Sequence, residues 1–228
     1  GFVSGVVAVI AVLLWLWETD RPVPQERVDI GAGIEVPTYV TGPSTHGWWA
    51  MIILLIVMGM IFAMALFGLA FLWANQPDFW KAPPAFMSGL PVLSMNALAL
   101  LLAFAARNLL ARGLAWGVMP LLAARALITA ALWIDGADWL AAGFAPTQSG
   151  QTAIVFALQA LQATAVIIAA LMALYLCARA LAGMVTLPTN VTVDLTALFL
   201  IYTAGQGLIG AAAARLFAKN GRPTAYIA

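Results

Sequence analysis

Long apolar runs separated by polar segments dominate the chain. Six runs are candidates for helices that cross a membrane, since about 20 residues at about 1.5 Å each cover the hydrocarbon core. The predicted spans are Phe2 to Trp17, Trp48 to Trp73, Leu90 to Ala106, Leu114 to Ile134, Thr152 to Ala178 and Thr192 to Leu216. Because the runs are continuously apolar and do not alternate, the sequence predicts an all-α polytopic bundle of about six transmembrane helices.

One polar segment is much longer than the others. It covers residues 18–46, contains four prolines and holds most of the acidic residues, so we interpret it as an extended linker. It separates a single transmembrane helix, residues 1–17, from a five-helix bundle, residues 48–228. The other connections are short, which indicates that consecutive helices pack antiparallel. The first run lacks the basic flank of a signal peptide, and we interpret the chain as a piece of a longer polypeptide.

The composition is typical of a membrane protein, and the charge argues against one class of partner, nucleic acid. Hydrophobic residues make up 64% and charged residues 8%, whereas an ordinary soluble domain is about 45 to 50% apolar. The net charge of +1 and the absence of a basic stripe argue against nucleic acid as a partner. The basic residues predicted on the linker side are Arg21, Arg27, Arg107, Arg112 and Arg179, against Lys81, Arg215, Lys219 and Arg222 on the other side. This near balance only weakly favours a cytoplasmic linker.

Tryptophan is concentrated near the ends of the predicted spans. Indole rings prefer the headgroup layer, so we interpret all nine as an aromatic belt that anchors the helices and not as a substrate platform. They are Trp15, Trp17, Trp48, Trp49, Trp73, Trp80, Trp116, Trp133 and Trp139.

Residue types that hold redox cofactors are scarce. His46 is the one histidine and Cys177 the one cysteine, whereas haem and copper sites in membrane bundles draw several imidazoles or thiolates from facing helices. Met58 lies on the opposite helical face from Met60 and Met64, which favours packing over copper binding. No Ser, His and acid set, no pair of carboxylates within a predicted span and no phosphate loop is present. We therefore predict no catalytic, metal or cofactor residues on this chain.

Arg125 is the one charge predicted to lie deep in a span. A helix that begins near Leu114 carries it roughly 16 Å inward, where an arginine costs about 2.5 to 3.5 kcal/mol. We expect it to contact lipid, to reach back toward the linker side, or to pair with Asp194, which enters the last span from that side.

The last two spans carry features of helix–helix contact. Tyr202 and Gln206 stand four residues apart, and Gln159 and Gln162 stand three apart, so each pair shares a helical face. Interhelical hydrogen bonds are the favoured interpretation, and a proton or substrate path is the alternative. Small residues on the last span allow another helix to approach closely. These are Gly205, Gly207 and Gly210.

Three segments resemble one protein family. The run DIGAGIEVPTYVTGPSTHGWWAM, residues 29–51, resembles the junction and first long helix of the subunit III-like region in bacterial cytochrome c oxidases whose subunits I and III are fused. CARALAG, residues 177–183, resembles the end of the family's penultimate helix. LTALFLIYTAGQGLIG, residues 195–210, resembles its final helix.

The resemblance implies an accessory role in aerobic respiratory electron transport. Residues 1–17 would be the last helix of a subunit I-like portion, and residues 48–228 a subunit III-like bundle in the bacterial plasma membrane. Haem and copper would lie in the partner catalytic subunit I, possibly on the same polypeptide, with subunit II and phospholipid as further partners. The bundle would support the catalytic subunit, proton uptake and oxygen access in a proton-pumping enzyme.

The sequence also departs from the family's pattern. Met58 stands where the family typically has an acidic residue, and Gln162 and Ala165 stand where it has histidines. A small secondary transporter or channel remains the alternative function, and broken helices or inverted repeats would favour it. A membrane enzyme is a third option that lacks a titratable cluster.

Overall fold

A computed structural model of the chain describes residues 6–7, 10–14, 27–37, 46–75, 84, 86–183 and 191–217. Five long helices account for most of them, and a single 3-10 turn, Ala115–Gly117, precedes the third. They are α1 (His46–Asn75), α2 (Phe86–Ala111), α3 (Val118–Ala141), α4 (Gly150–Leu181) and α5 (Val191–Leu216). Each is long and apolar enough to cross a membrane. This confirms the predicted all-α bundle, and the chain is a multi-pass membrane protein.

Two of the predicted features lie before α1. Residues 10–14, inside the first predicted span, are helical. In the predicted linker, β1 (Arg27–Asp29) pairs antiparallel with β2 (Glu35–Pro37). The hairpin turn has three successive residues with positive φ, Gly31, Ala32 and Gly33, a conformation that glycine adopts without steric cost. The described part of the linker therefore has local structure of its own and is not simply extended.

Contacts between helix ends show that the bundle runs up and down. We call the side where α1, α3 and α5 begin the linker end, and the opposite side the far end. Near the linker end, Arg107 of α2 pairs with Asp194 of α5. At the far end, the rings of Trp73 and Phe217 lie 5.3 Å apart, next to the last turns of α1 and α5. Consecutive helices are therefore antiparallel, as the short connections predict.

Helix α5 lies at the centre of the bundle and contacts the other four helices. Half of its span is buried, against 11% of the α1 span. Small side chains allow this close packing, because they let helix backbones approach one another. The buried alanines of α2 and α5 are Ala99, Ala103, Ala106, Ala197, Ala204, Ala211 and Ala214.

The C-terminal end of α3 lies further along the chain than the sequence predicts. Helix α3 continues past Ile134 to Ala141, so that Asp135, Asp138 and Trp139 are helical residues and not part of a loop. The prediction that no pair of carboxylates lies within a span is therefore wrong. Hydropathy falls at the first carboxylate, but the helix continues because the acidic side chains find partners inside the bundle.

Candidate functional site

A buried charge cluster joins the far ends of α3 and α5. The Arg215 side chain is completely buried, and its Nη1 lies 2.6 Å from Oδ1 of Asp135. Its Nη2 lies 3.5 Å from Oδ2 of Asp138, which is about a quarter exposed. The two aspartates are three residues apart on α3 and so face the same neighbour. One guanidinium thus neutralises part of the charge of two carboxylates.

Groups from other helices enclose this cluster. Nε2 of Gln159 on α4 donates to Oδ2 of Asp135 at 3.2 Å. The Arg215 Cζ lies 6.0 Å from the ring centre of Trp139. Any side chain at Gly89 of α2 would overlap the Arg215 guanidinium. Four helices therefore contribute to the position of this arginine.

Arg215 and Trp139 lie inside the bundle, which differs from the sequence predictions for both residues. Arg215 was expected among the basic residues of the far surface, but its side chain is buried. Trp139 was expected in the aromatic belt, but it is 0% exposed and packs edge-on against Phe144 at 5.0 Å. Both side chains turn inward because α3 extends a further two turns and brings the carboxylates next to α5. By contrast, Trp133 is 81% exposed and faces outward, as an anchor does.

A small cavity lies among the five helices, deeper in the bundle than the charge cluster, and its mostly apolar lining carries a few amide groups. Its volume is about 30 Å³, and Asn96, Gln162 and Gln206 line it together with Gln159 and Asp135. Gln162 donates to the carbonyl of Thr203 on α5 at 3.0 Å. The cavity therefore connects the middle of the bundle with the carboxylate end of the charge cluster.

The glycines of α5 differ in how closely other side chains approach them, and Gly207 leaves room for the amide groups of the cavity. A Cβ at Gly207 would overlap Oδ1 of Asn96 and lie 2.7 Å from Nε2 of Gln162. At Gly210, a Cβ would lie 3.4 Å from the Phe62 ring of α1, which is ordinary contact. Nothing described lies within 4 Å of a Cβ at Gly205. The three glycines of α5 thus have three different environments.

Arg125 and Asp194 do not pair with each other. Asp194 instead accepts from Nε of Arg107 at 2.7 Å, and both side chains are more than a third exposed. Arg125 donates to Thr129, one turn further along its own helix. The contact that the sequence allowed is therefore absent, because the first turn of α5 lies against the last turns of α2.

An apolar cavity of about 70 Å³ lies beside Arg125 near the linker end. Leu121 and Leu122 of α3 line it, and α4 contributes Leu176 and Cys177. Its walls expose no polar surface. This arrangement is suited to an alkyl chain more than to a polar substrate.

Three of the remaining candidate residues, Tyr202, Met58 and Ala165, pack against other side chains of the bundle. Tyr202 is half-buried, and its ring centre lies 6.2 Å from that of Phe199. Met58 packs partly buried against the largest core cluster, and Ala165 is fully buried within it. His46 is the first residue of α1. In the described ranges no three His, Cys, Asp or Glu side chains are close enough to hold a metal ion.

Sequence reasoning missed the charge cluster and Asn96. One signal was available: two acidic residues three apart directly follow an apolar run, and a single arginine, Arg215, stands in the last turn of another helix. Asn96 had no such signal, since a lone amide in an apolar run does not indicate which helix it faces.

A comparison with protein-family models finds no match, and no curated protein matches this sequence significantly.

Proposed function

We propose that the chain is the accessory, non-redox subunit III-like part of a haem-copper cytochrome c oxidase. The observation that carries the proposal is the resemblance of residues 29–51, 177–183 and 195–210 to that region. These segments correspond to the hairpin and start of α1, the end of α4 and the central part of α5. A five-helix bundle after a polar linker is the organisation that the resemblance implies.

The proposed role is to pack against the catalytic subunit, which holds the haem and copper. Apolar side chains on the outer surface of α1 support this role, because they offer area to lipid and to a neighbouring helix. They include Ile53, Ile56, Val57, Met60, Met64, Phe67 and Phe71, each about half or more exposed. Electrons would then pass beside this bundle and not through it. Its contribution would be stability, bound lipid, and support of proton uptake and oxygen access.

Deletion of residues 48–228 from the intact oxidase tests the proposal. We expect the haem spectrum to survive and initial oxygen consumption to stay close to that of the intact enzyme. Sustained turnover should decline sooner, because the core loses packing area and lipid contacts. The measurement is oxygen consumption against time in the same lipid, with the spectrum recorded before and after. Loss of a haem band from the outset, or equal rates of decline, would contradict the accessory role.

A small transporter or channel is the second candidate function. The charge cluster of Asp135, Asp138 and Arg215 favours it, because ionisable residues inside a membrane bundle often mark a substrate or ion path. Reconstitution of the chain into liposomes separates the two functions. Flux of an ion or polar solute that the Arg215→Met variant abolishes would favour the transporter, and no flux above empty liposomes would favour the oxidase.

A further inference from the structure

Three buried amide side chains around the small cavity each have a polar atom without a hydrogen-bond partner in the described part of the chain. Asn96 is 3% exposed, Gln162 is 8% exposed and Gln206 is 5% exposed. Oδ1 of Asn96, Oε1 of Gln162 and Nε2 of Gln206 have no hydrogen-bond partner among the described residues. All three residues line the same cavity. Buried polar atoms almost always have a hydrogen-bond partner. Three unpaired amide atoms around one cavity therefore indicate that a polar molecule occupies it.

The orientation of two amides is set by their other atoms. Nδ2 of Asn96 donates to the carbonyl of Val92 at 2.9 Å. Nε2 of Gln162 donates to the carbonyl of Thr203 at 3.0 Å. Their oxygens are therefore the atoms left without partners, and both accept hydrogen bonds. Gln206 supplies the complementary donor.

Size and hydrogen-bonding capacity both match water. A water molecule needs about 10–15 Å³ of cavity volume and two to four polar partners. The cavity has about 30 Å³. One water can donate to the oxygens of Asn96 and Gln162 while it accepts from Gln206. An apolar occupant would leave all three atoms unpaired.

We propose that this cavity binds one or two ordered water molecules inside the bundle, held by Asn96, Gln162 and Gln206. Asp135 and Gln159 line the same cavity, so a second water there would lie beside the carboxylate that pairs with Arg215. Gly207 keeps the site open, because a Cβ there would displace the Asn96 and Gln162 amides.

X-ray hydroxyl-radical footprinting of the whole chain in lipid nanodiscs tests this site. Radicals form from water where it is bound and oxidise the side chains beside it. Phe62 lines the cavity and is 7% exposed, whereas Phe199 is 0% exposed and lies outside the cavity lining. We expect oxidation of Phe62 to be several-fold faster than that of Phe199. Equal rates for the two rings would overturn the proposal.

Two variants show whether the oxidation of Phe62 depends on the amides. Gln206→Met keeps the side-chain size and removes the donor, and Asn96→Leu removes an acceptor. Either variant should reduce the rate at Phe62 toward that at Phe199. Asn108→Leu is the matched control, since Asn108 lies exposed on the same helix as Asn96 and should leave the rate unchanged. If neither amide variant lowers the rate, the radicals come from another source and the site is not a water site. If Asn96→Leu does not fold, as judged by circular dichroism, Gln206→Met alone decides.

Discussion

Arg107 and Arg215 both pair with aspartates, but in different surroundings. The Arg107 side chain and its partner Asp194 are 39% and 38% exposed. The Arg215 side chain is 0% exposed, and its nearer partner Asp135 is 12% exposed. Bulk water and dissolved ions screen the first pair, whereas the second lies mostly inside the bundle, away from bulk solvent. The two pairs should therefore differ in how much stability depends on them.

Loss of the buried arginine should be costly. Arg215→Met leaves Asp135 and Asp138 without their cation, and removal of one partner from a buried pair costs about 3–5 kcal/mol. The control is Arg112→Met, since Arg112 is exposed after α2, and a change within about 0.5 kcal/mol is expected there. The measurement is the free energy of unfolding in mixed micelles titrated with dodecyl sulfate. Similar losses for both variants would contradict the role of the cluster.

The exposed pair should contribute little. A double-mutant cycle with Arg107→Met and Asp194→Asn should give a coupling energy below about 1 kcal/mol, because both side chains are partly exposed. The cycle also removes the separate effect of a negative charge in the first turn of α5. Coupling should decrease further as salt is added. A coupling energy as large as the loss in Arg215→Met would mean that Asp194 is shielded from water in the lipid-embedded protein.

At the scale of elements, α1 and α5 differ in composition and occupy different positions in the bundle. The outer surface of α1 is apolar, whereas α5 carries polar and small residues and is the most buried span. The reason is close packing: the small residues of α5 let α2 and α4 approach its backbone, and this approach brings Asn96 and Gln162 to Gly207. The higher hydropathy of α1 agrees with its outer position, because the lipid around the bundle is itself apolar.

Glycine substitutions along α5 should separate packing from helix propensity. Gly207→Ala places a Cβ against Asn96 and Gln162, and overpacking of this kind costs about 1–3 kcal/mol. Gly205→Ala meets open space, so it should be neutral or should stabilise the helix by up to about 1 kcal/mol. Unfolding free energies of the two variants in the same micelles provide the comparison. Equal effects would show that close approach at Gly207 is unimportant.

At the scale of the whole molecule, charged residues link the helices at both ends of the bundle. The far-end cluster links α3 and α5, with Gln159 of α4 and Gly89 of α2 around it. At the linker end, Arg107 pairs with Asp194 where both side chains are partly exposed, and Arg179 in the last turn of α4 is buried. We expect backbone amides beside the buried Arg215 cluster to exchange hydrogen more slowly than those beside the partly exposed Arg107 and Asp194 pair, and hydrogen exchange of the chain in nanodiscs measures this.

The purified chain should bind neither haem nor copper. Its sequence contains one histidine and one cysteine, too few for the ligand sets that these groups use. Metal analysis and an absorption spectrum of the chain expressed with added haem are the measurements, with an empty membrane preparation as the control. A stoichiometric Soret band would overturn the accessory role together with this prediction.

The amino-acid sequence alone determined the helices of this protein. Apolar runs of about 20 residues leave a chain in lipid no other way to pair its backbone groups, so α1 to α5 were predictable, and so was the outward position of Trp133. Prediction failed where a helix continues through charged residues. The helical state of Asp135 and Asp138 depends on a partner, Arg215, that lies 77 residues from Asp138 in the chain.

Tertiary structure alone decided which polar residues meet. Asp194 could face Arg107 or Arg125, and the rotation and offset of α5 against α2 select Arg107. The same packing brings Asn96, Gln162 and Gln206 around one cavity. Rotation and offset result from the fit of many small side chains across several helices. A pattern read along one helix carries no information about that fit, because it describes which face is polar and not which neighbour the face meets.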